Sequence, residues 1–125
     1  VKIDRIIEEA MIVANKYGLH FVEIDRTENI ISLKLLIDSE FFIQIYGNNE
    51  KNKLNLALVF KKRRLYGYDS EGSKYHFHPF DNPANHIFVD ERKTIGEFVQ
   101  QSVEFLEKNK LLWNMGGKKG SYGKL

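Results

Sequence analysis

The sequence predicts an α+β domain: a twisted antiparallel β-meander of about five to six strands, with an N-terminal and a C-terminal helix packed on one face. Three observations lead there. Amphipathic helical stripes stand near both ends, over residues 3 to 17 and from Thr94 onward. Between them lie six short runs rich in β-branched and aromatic residues, divided by turn material. The connections are too short for crossover helices, so neighbouring strands must run antiparallel.

The first helix is read from Ile3, Ile6, Ile7, Ala10, Val13, Ala14 and Tyr17, which share one face at helical spacing, with Gly18 where a helix stop belongs. The runs "LHFVEIDR", "IISLKLLI", "EFFIQIYG", "KLNLALVF", "RLYGYD" and "KYHFHPF" then read as strands, with "TEN", "DS" and "NNEKN" as the first three turns. The registers of the first three strands stay open, and "IISLKLLI" is apolar on both faces in places. The second helix starts with a capping box, "TIGE", in which Thr94 and Glu97 satisfy each other's backbone N–H groups. Ile95, Phe98, Val99, Ser102, Phe105 and Leu106 form its stripe. Gly96 is a poor helix former, and close packing on the sheet is the expected reason for it. With only two helices as cover, one sheet face is left to solvent, a ligand or a partner.

A chain of 125 residues suffices for one domain with its own core, assigned to residues 1–113. Residues 114–125, rich in Gly and Lys, read as a flexible tail. Nineteen Lys and Arg nearly balance seventeen Asp and Glu, so no global field marks a nucleic-acid binder, although a local basic patch remains open. The absence of cysteine excludes disulfides, thiolate metal sites and a Cys nucleophile, and fits a reducing compartment. The opening residues carry too much charge for a signal-peptide core, and no apolar run approaches the roughly 20 residues of a membrane helix. The expectation is a soluble cytoplasmic protein that does not engage membranes. No P-loop, dinucleotide fingerprint, HExxH or nucleophile elbow is present, and no cofactor is expected.

The segment "GYDSEGSKYHFHPFDNPANH" holds His76, His78 and His86, three of the four histidines, and both prolines. Taking Ser70–Gly72 as a three-residue hairpin loop with Gly72 left-handed sets a register. Tyr68 then faces Lys74, Tyr66 faces His76, and Arg64 faces His78. By alternation, Leu65, Tyr75 and Phe77 point to the core. Arg64, Tyr66, Tyr68, Lys74, His76 and His78 point to the open face as a basic and aromatic patch. Tyrosine and histidine can stack on unpaired bases, while Arg64 and Lys74 meet phosphates. Histidines two apart on a strand lie roughly 7 Å apart, so His76 and His78 can serve as acid and base in metal-independent RNA cleavage. The plainer reading is a solvent-facing strand with ordinary polar residues.

A divalent-metal site from His76, His78, His86 and Asp81 matches no standard spacing, so no metal ligand is assigned. The loop "HPFDNPANH" can exist simply to turn the chain, or form one wall of a pocket beside His76 and His78, with His86 as a candidate substrate-binding residue. "KKRR", residues 61 to 64, reads as a solvated turn between two strands, and His20 as structural.

From residue 40 to about 106, "FFIQIYG", "LNLALVFKKRRLYGYD", "YHFHPFDNPANH" and "TIGEFVQQSVEFL" follow one another in an order that resembles the TumE-like family, toxins of toxin–antitoxin pairs. The resemblance implies a toxin-like component with a small antitoxin protein as partner, and the exposed Tyr/His/Arg face is where such a component would bind or cleave RNA. The competing expectation is a non-catalytic module whose open sheet face binds a protein or forms a homodimer.

Overall fold

Between Ile31 and Leu58 every second strand residue is apolar and buried, and this period of two gives the sheet one dry side. A computed structural model of the chain describes residues 2–79, 87–89 and 91–109. In chain order it holds α1 (Ile3–Tyr17), β1 (His20–Arg26), β2 (Ile30–Leu36), β3 (Phe41–Asn48), β4 (Lys53–Phe60), β5 (Arg63–Glu71), β6 (Lys74–His78), β7 (Ile87–Val89) and α2 (Ile95–Lys108). The strands form a single antiparallel sheet in sequence order, β1 to β7. The expected meander is therefore present with seven strands. The extra one, β7, has three residues, too few for alternation to announce it. Among the described residues no helix is long and apolar enough to cross a membrane. The tail expected over residues 114–125 lies outside the described residues.

Both helices lie on the dry side. Ile3, Ile6, Ala10, Val13 and Ala14 of α1 join Ile95, Phe98, Val99, Val103 and Leu106 of α2 over Ile31, Leu33, Leu35, Ile43, Ile45, Leu56 and Leu58. Gly18 caps α1 with its N–H toward the carbonyls of Ala14 and Asn15. The capping box of α2 is formed as expected. Glu97 N–H donates to Thr94 Oγ1 at 3.1 Å, and Thr94 N–H donates to Glu97 Oε1 at 3.0 Å. These bonds hold the Glu97 carboxyl below its ordinary pKa. Gly96 departs from expectation: no neighbouring atom lies within 4 Å of where a Cβ would stand, so close packing is not its reason. The ambiguous "IISLKLLI" resolves cleanly, with Ile31, Leu33 and Leu35 inward and Ser32 and Lys34 outward.

The β4–β5 turn is tight. Phe60 pairs with Arg63, leaving Lys61 and Lys62 as its two central residues, with φ of 47° and 69°. The expected "KKRR" turn is thus only two residues long, and Arg63 and Arg64 belong to β5. Left-handed backbone at a residue with a Cβ costs about 1–2 kcal/mol.

Tyr66 is the inward anchor of β5. It is 3% exposed, its ring meets Phe98 and Phe105 edge-on with centroids 5.5 Å away in each case, and its hydroxyl donates to Ser102 Oγ at 3.0 Å. Burial pushes its pKa from 10.0 up to about 12. An unfolded chain therefore ionises this phenol at lower pH than the folded one does. The stability due to this group is complete below the unfolded pKa and is lost as pH rises through the window from 10.0 to about 12. Urea unfolding followed between pH 9 and pH 12 is expected to show the wild type losing about 2 kcal/mol more than Tyr66→Phe. At neutral pH the same substitution is expected to cost about 1–3 kcal/mol, because the buried Ser102 hydroxyl loses the Tyr66 donor. Parallel pH profiles for the two proteins would contradict this reading.

Candidate functional site

The side of the sheet opposite the helices is set by cross-strand pairing. One row runs Tyr46, Asn55, Asp69, His76, Phe88 across β3 to β7, each residue paired with the next. Beside it runs Gln44, Ala57, Gly67, His78. At the edges lie Phe42, Val59 and Arg64 on one flank and Lys53, Glu71 and Lys74 on the other. Four inter-strand steps of about 4.8 Å make the Tyr46–Phe88 row roughly 19 Å long. Ala57 and Gly67 are small, so the middle of the face is a trough between longer side chains.

Two adjoining grooves occupy this face and share Asn55. One, of about 540 Å³, is lined by Lys53, Asn55, Asp69, Glu71, Lys74 and His76. The other, of about 420 Å³, is lined by Phe42, Gln44, Tyr46, Asn55, Lys62 and Arg64 above a floor of Ala57 and Val59. Asn55 Oδ1 is buried and has no hydrogen-bond partner among the described residues.

Asp69 ties the second row to the first. Its Oδ1 lies 3.6 Å from Arg64 Nη2 and its Oδ2 lies 2.9 Å from His78 Nε2. Lys53 and Glu71 pair across β4–β5 at 3.9 Å. Lys62 and Lys74 are then the groove-lining cations with no ion pair among the described residues. Gly67 makes room for this arrangement. A Cβ there would stand 2.5 Å from the carbonyl oxygen of Leu56 and 3.5 Å from Arg64 Nε.

The expected patch is partly assembled and partly corrected. Arg64, Lys74, His76 and His78 do share the open face. Tyr66 and Tyr68 do not: Tyr66 is in the core, and Tyr68 packs on Phe77 at 4.8 Å and on Phe98 at 6.0 Å. They are therefore not stacking residues of this face. The cause is the hairpin register. The β5–β6 turn has two central residues, Gly72 and Ser73, with Glu71 opposite Lys74, and only Gly72 takes a positive φ, 62°. Tyr68 accordingly faces Phe77, not Lys74. The shift is an odd number of residues, which reverses β5 relative to β6. Arg64 nevertheless stays on the open face, because the ladder skips Leu65 between Leu58↔Tyr66 and Val59↔Arg64. That bulge turns the strand over once more.

The two histidines also differ from the expected pair. His78 is 3% exposed, held behind Asp69, and does not stand in water as a free acid or base must. His76 is half-buried, with its ring edge-on to Phe88 at 4.6 Å, and borders the groove. His86 and Asp81 lie outside the described residues. Among the described residues no group of three His, Cys, Asp or Glu is arranged to hold a metal ion. His20 is exposed at the start of β1, away from the grooves.

Phe42, Tyr46, Lys53, Asn55, Lys62 and Asp69 are the site residues that motif reading passed over. The outward positions of "EFFIQIYG" and "KLNLALVF" carried the signal for Phe42, Tyr46, Lys53 and Asn55. Comparison with protein-family models, curated proteins and solved structures finds no match. Urea denaturation of Gly67→Ala is expected to show a loss of about 1–3 kcal/mol, since a backbone carbonyl cannot move aside as a side-chain tip can. Wild-type stability in that variant would mean that β4 and β5 are not in this register.

Proposed function

We propose that the open sheet face binds single-stranded RNA, and that the chain acts as the RNA-directed component of a toxin–antitoxin pair. The row from Tyr46 to Phe88 carries this reading. It places aromatic rings at both ends and the His76 imidazole next to Phe88, with Asn55 between as an amide whose oxygen has no hydrogen-bond partner among the described residues. Such rings take unpaired bases by stacking, and an amide can read a base edge. Lys62 and Lys74 flank the row as cations available to phosphate. His76 is the imidazole within reach of a bound 2′-hydroxyl, while Asp69 and His78 form the support beneath it. The antitoxin partner rests on the resemblance to the TumE-like family alone.

A second reading, a protein-interaction or homodimer surface, is favoured by β7. Phe88 is 71% exposed and Ile87 44% exposed on the edge strand of the sheet.

Fluorescence anisotropy with a labelled single-stranded RNA, at several salt concentrations, separates the two. The expected result is saturable binding that weakens with salt, at least tenfold weaker in Tyr46→Ala/His76→Ala, since each lost stacking partner is worth about 1–3 kcal/mol. Gel analysis of the same mixtures, with and without chelator, shows whether His76 also supports cleavage. No binding by a folded wild type, together with a mass near twice that of one chain, would replace this reading with the second.

A further inference from the structure

The β4–β5 turn places two consecutive lysines in the left-handed region, at φ 47° for Lys61 and 69° for Lys62. Two-residue hairpins of this kind favour Asn-Gly, because both central residues need positive φ. The two lysines differ in what holds them. Lys61 is secured within the chain. Its Nζ lies 3.2 Å from Glu40 Oε2 and 5.2 Å from the centroid of Phe60, and its N–H donates to the Glu40 carbonyl at 3.1 Å. Lys62 has the larger φ and, among the described residues, no ion pair, ring contact or side-chain hydrogen bond. Its side chain instead lines the groove with Phe42, Tyr46 and Arg64. Unfavourable backbone geometry persists where something over-determines it, and it gathers at ligand clamps. For Lys61 the chain's own contacts supply that reason. For Lys62 the two-residue turn sets the backbone, but among the described residues no contact secures its side chain or calls for a lysine there.

Resting on the RNA-binding reading above, we infer that Lys62 is a phosphate-binding residue: the strained turn presents its ammonium at the Phe42–Tyr46 end of the groove, where it meets the backbone of the strand whose bases lie on the face. Arg64 beside it is engaged by Asp69 at 3.6 Å and Lys34 lies over the Phe42 ring at 4.4 Å, so among the described residues Lys62 is the cation of this groove end with neither an ion pair nor a ring contact. Asparagine would serve the turn better, since it tolerates left-handed backbone, and it would remove the charge.

The test compares Lys61→Asn, Lys62→Asn and Lys62→Arg, using thermal melting and anisotropy with the same labelled RNA. Lys62→Asn is expected to raise the melting temperature by roughly 3 °C. It is expected to weaken RNA binding about five- to tenfold at 0.1 M salt and to lower the salt slope by about one. Lys62→Arg is expected to keep the affinity, and Lys61→Asn to change it less than about twofold, since Lys61 is tied to Glu40. Wild-type affinity in Lys62→Asn, with RNA binding otherwise intact, would overturn the role of Lys62 alone. A melting temperature that does not rise would remove the strain on which that role depends. No RNA binding by the wild type would overturn the underlying reading instead.

Discussion

The burial of Tyr66 under α2 is the constraint on which the open sheet face depends. Its ring between Phe98 and Phe105 and its hydroxyl on Ser102 turn one side of β5 inward. Because side chains alternate, Gly67 and Asp69 must then point outward, and the residues paired with them, His78 and His76, point outward too. Leaving the Ser102 hydroxyl, fully buried, without its partner would add a penalty of about 1–3 kcal/mol to any slip of this strand. A shift by one residue would also bury the Asp69 carboxylate among apolar side chains, where an unpaired charge is strongly disfavoured. The polar face is thus specified from the opposite side of the sheet.

The chemistry of that face follows from one carboxylate in contact with two side chains, a guanidinium and an imidazole. Asp69 lies between Arg64 and His78, which draws both toward the middle of the sheet and leaves Arg64 lying over Gly67. The absence of a side chain at Gly67 is what leaves room for Arg64 Nε there. His76 has the Phe88 ring edge-on at 4.6 Å and borders the larger groove. Two histidines with equal standing in the sequence therefore divide into a buried support and a groove-lining group. Their separation arises from the neighbours they pair with, Gly67 for His78 and Asp69 for His76.

Much of the fold was legible because it is written in periodicity. The stripes of α1 and α2 and the "TIGE" capping box match the structure, and β1 to β6 fall on the six β-rich runs. The site was less legible because it depends on two local counts that periodicity does not contain. One is the length of the β5–β6 loop: both three residues ending at Gly72 and two residues starting at Gly72 satisfy a left-handed glycine. The other is the bulge at Leu65, which is invisible in a run as short as "RLYGYD". Tyrosine compounds the difficulty, since Tyr66 and Tyr68 suit a wet face and a core with a polar partner equally well. Arg64 was placed on the correct face by two opposite errors that cancel. β7 carries too few residues for any pattern, and its Phe88 is recognisable only through its pairing with His76.

The measurement that bears most directly on the open face is an NMR titration of the isotope-labelled protein with a short single-stranded RNA. Perturbation concentrated at the Asn55 side-chain amide, the His76 imidazole and the rings of Tyr46 and Phe88, with the outer surface of α1 unchanged, is the predicted result. Perturbation confined to the helical side, or none at saturating RNA, would contradict it.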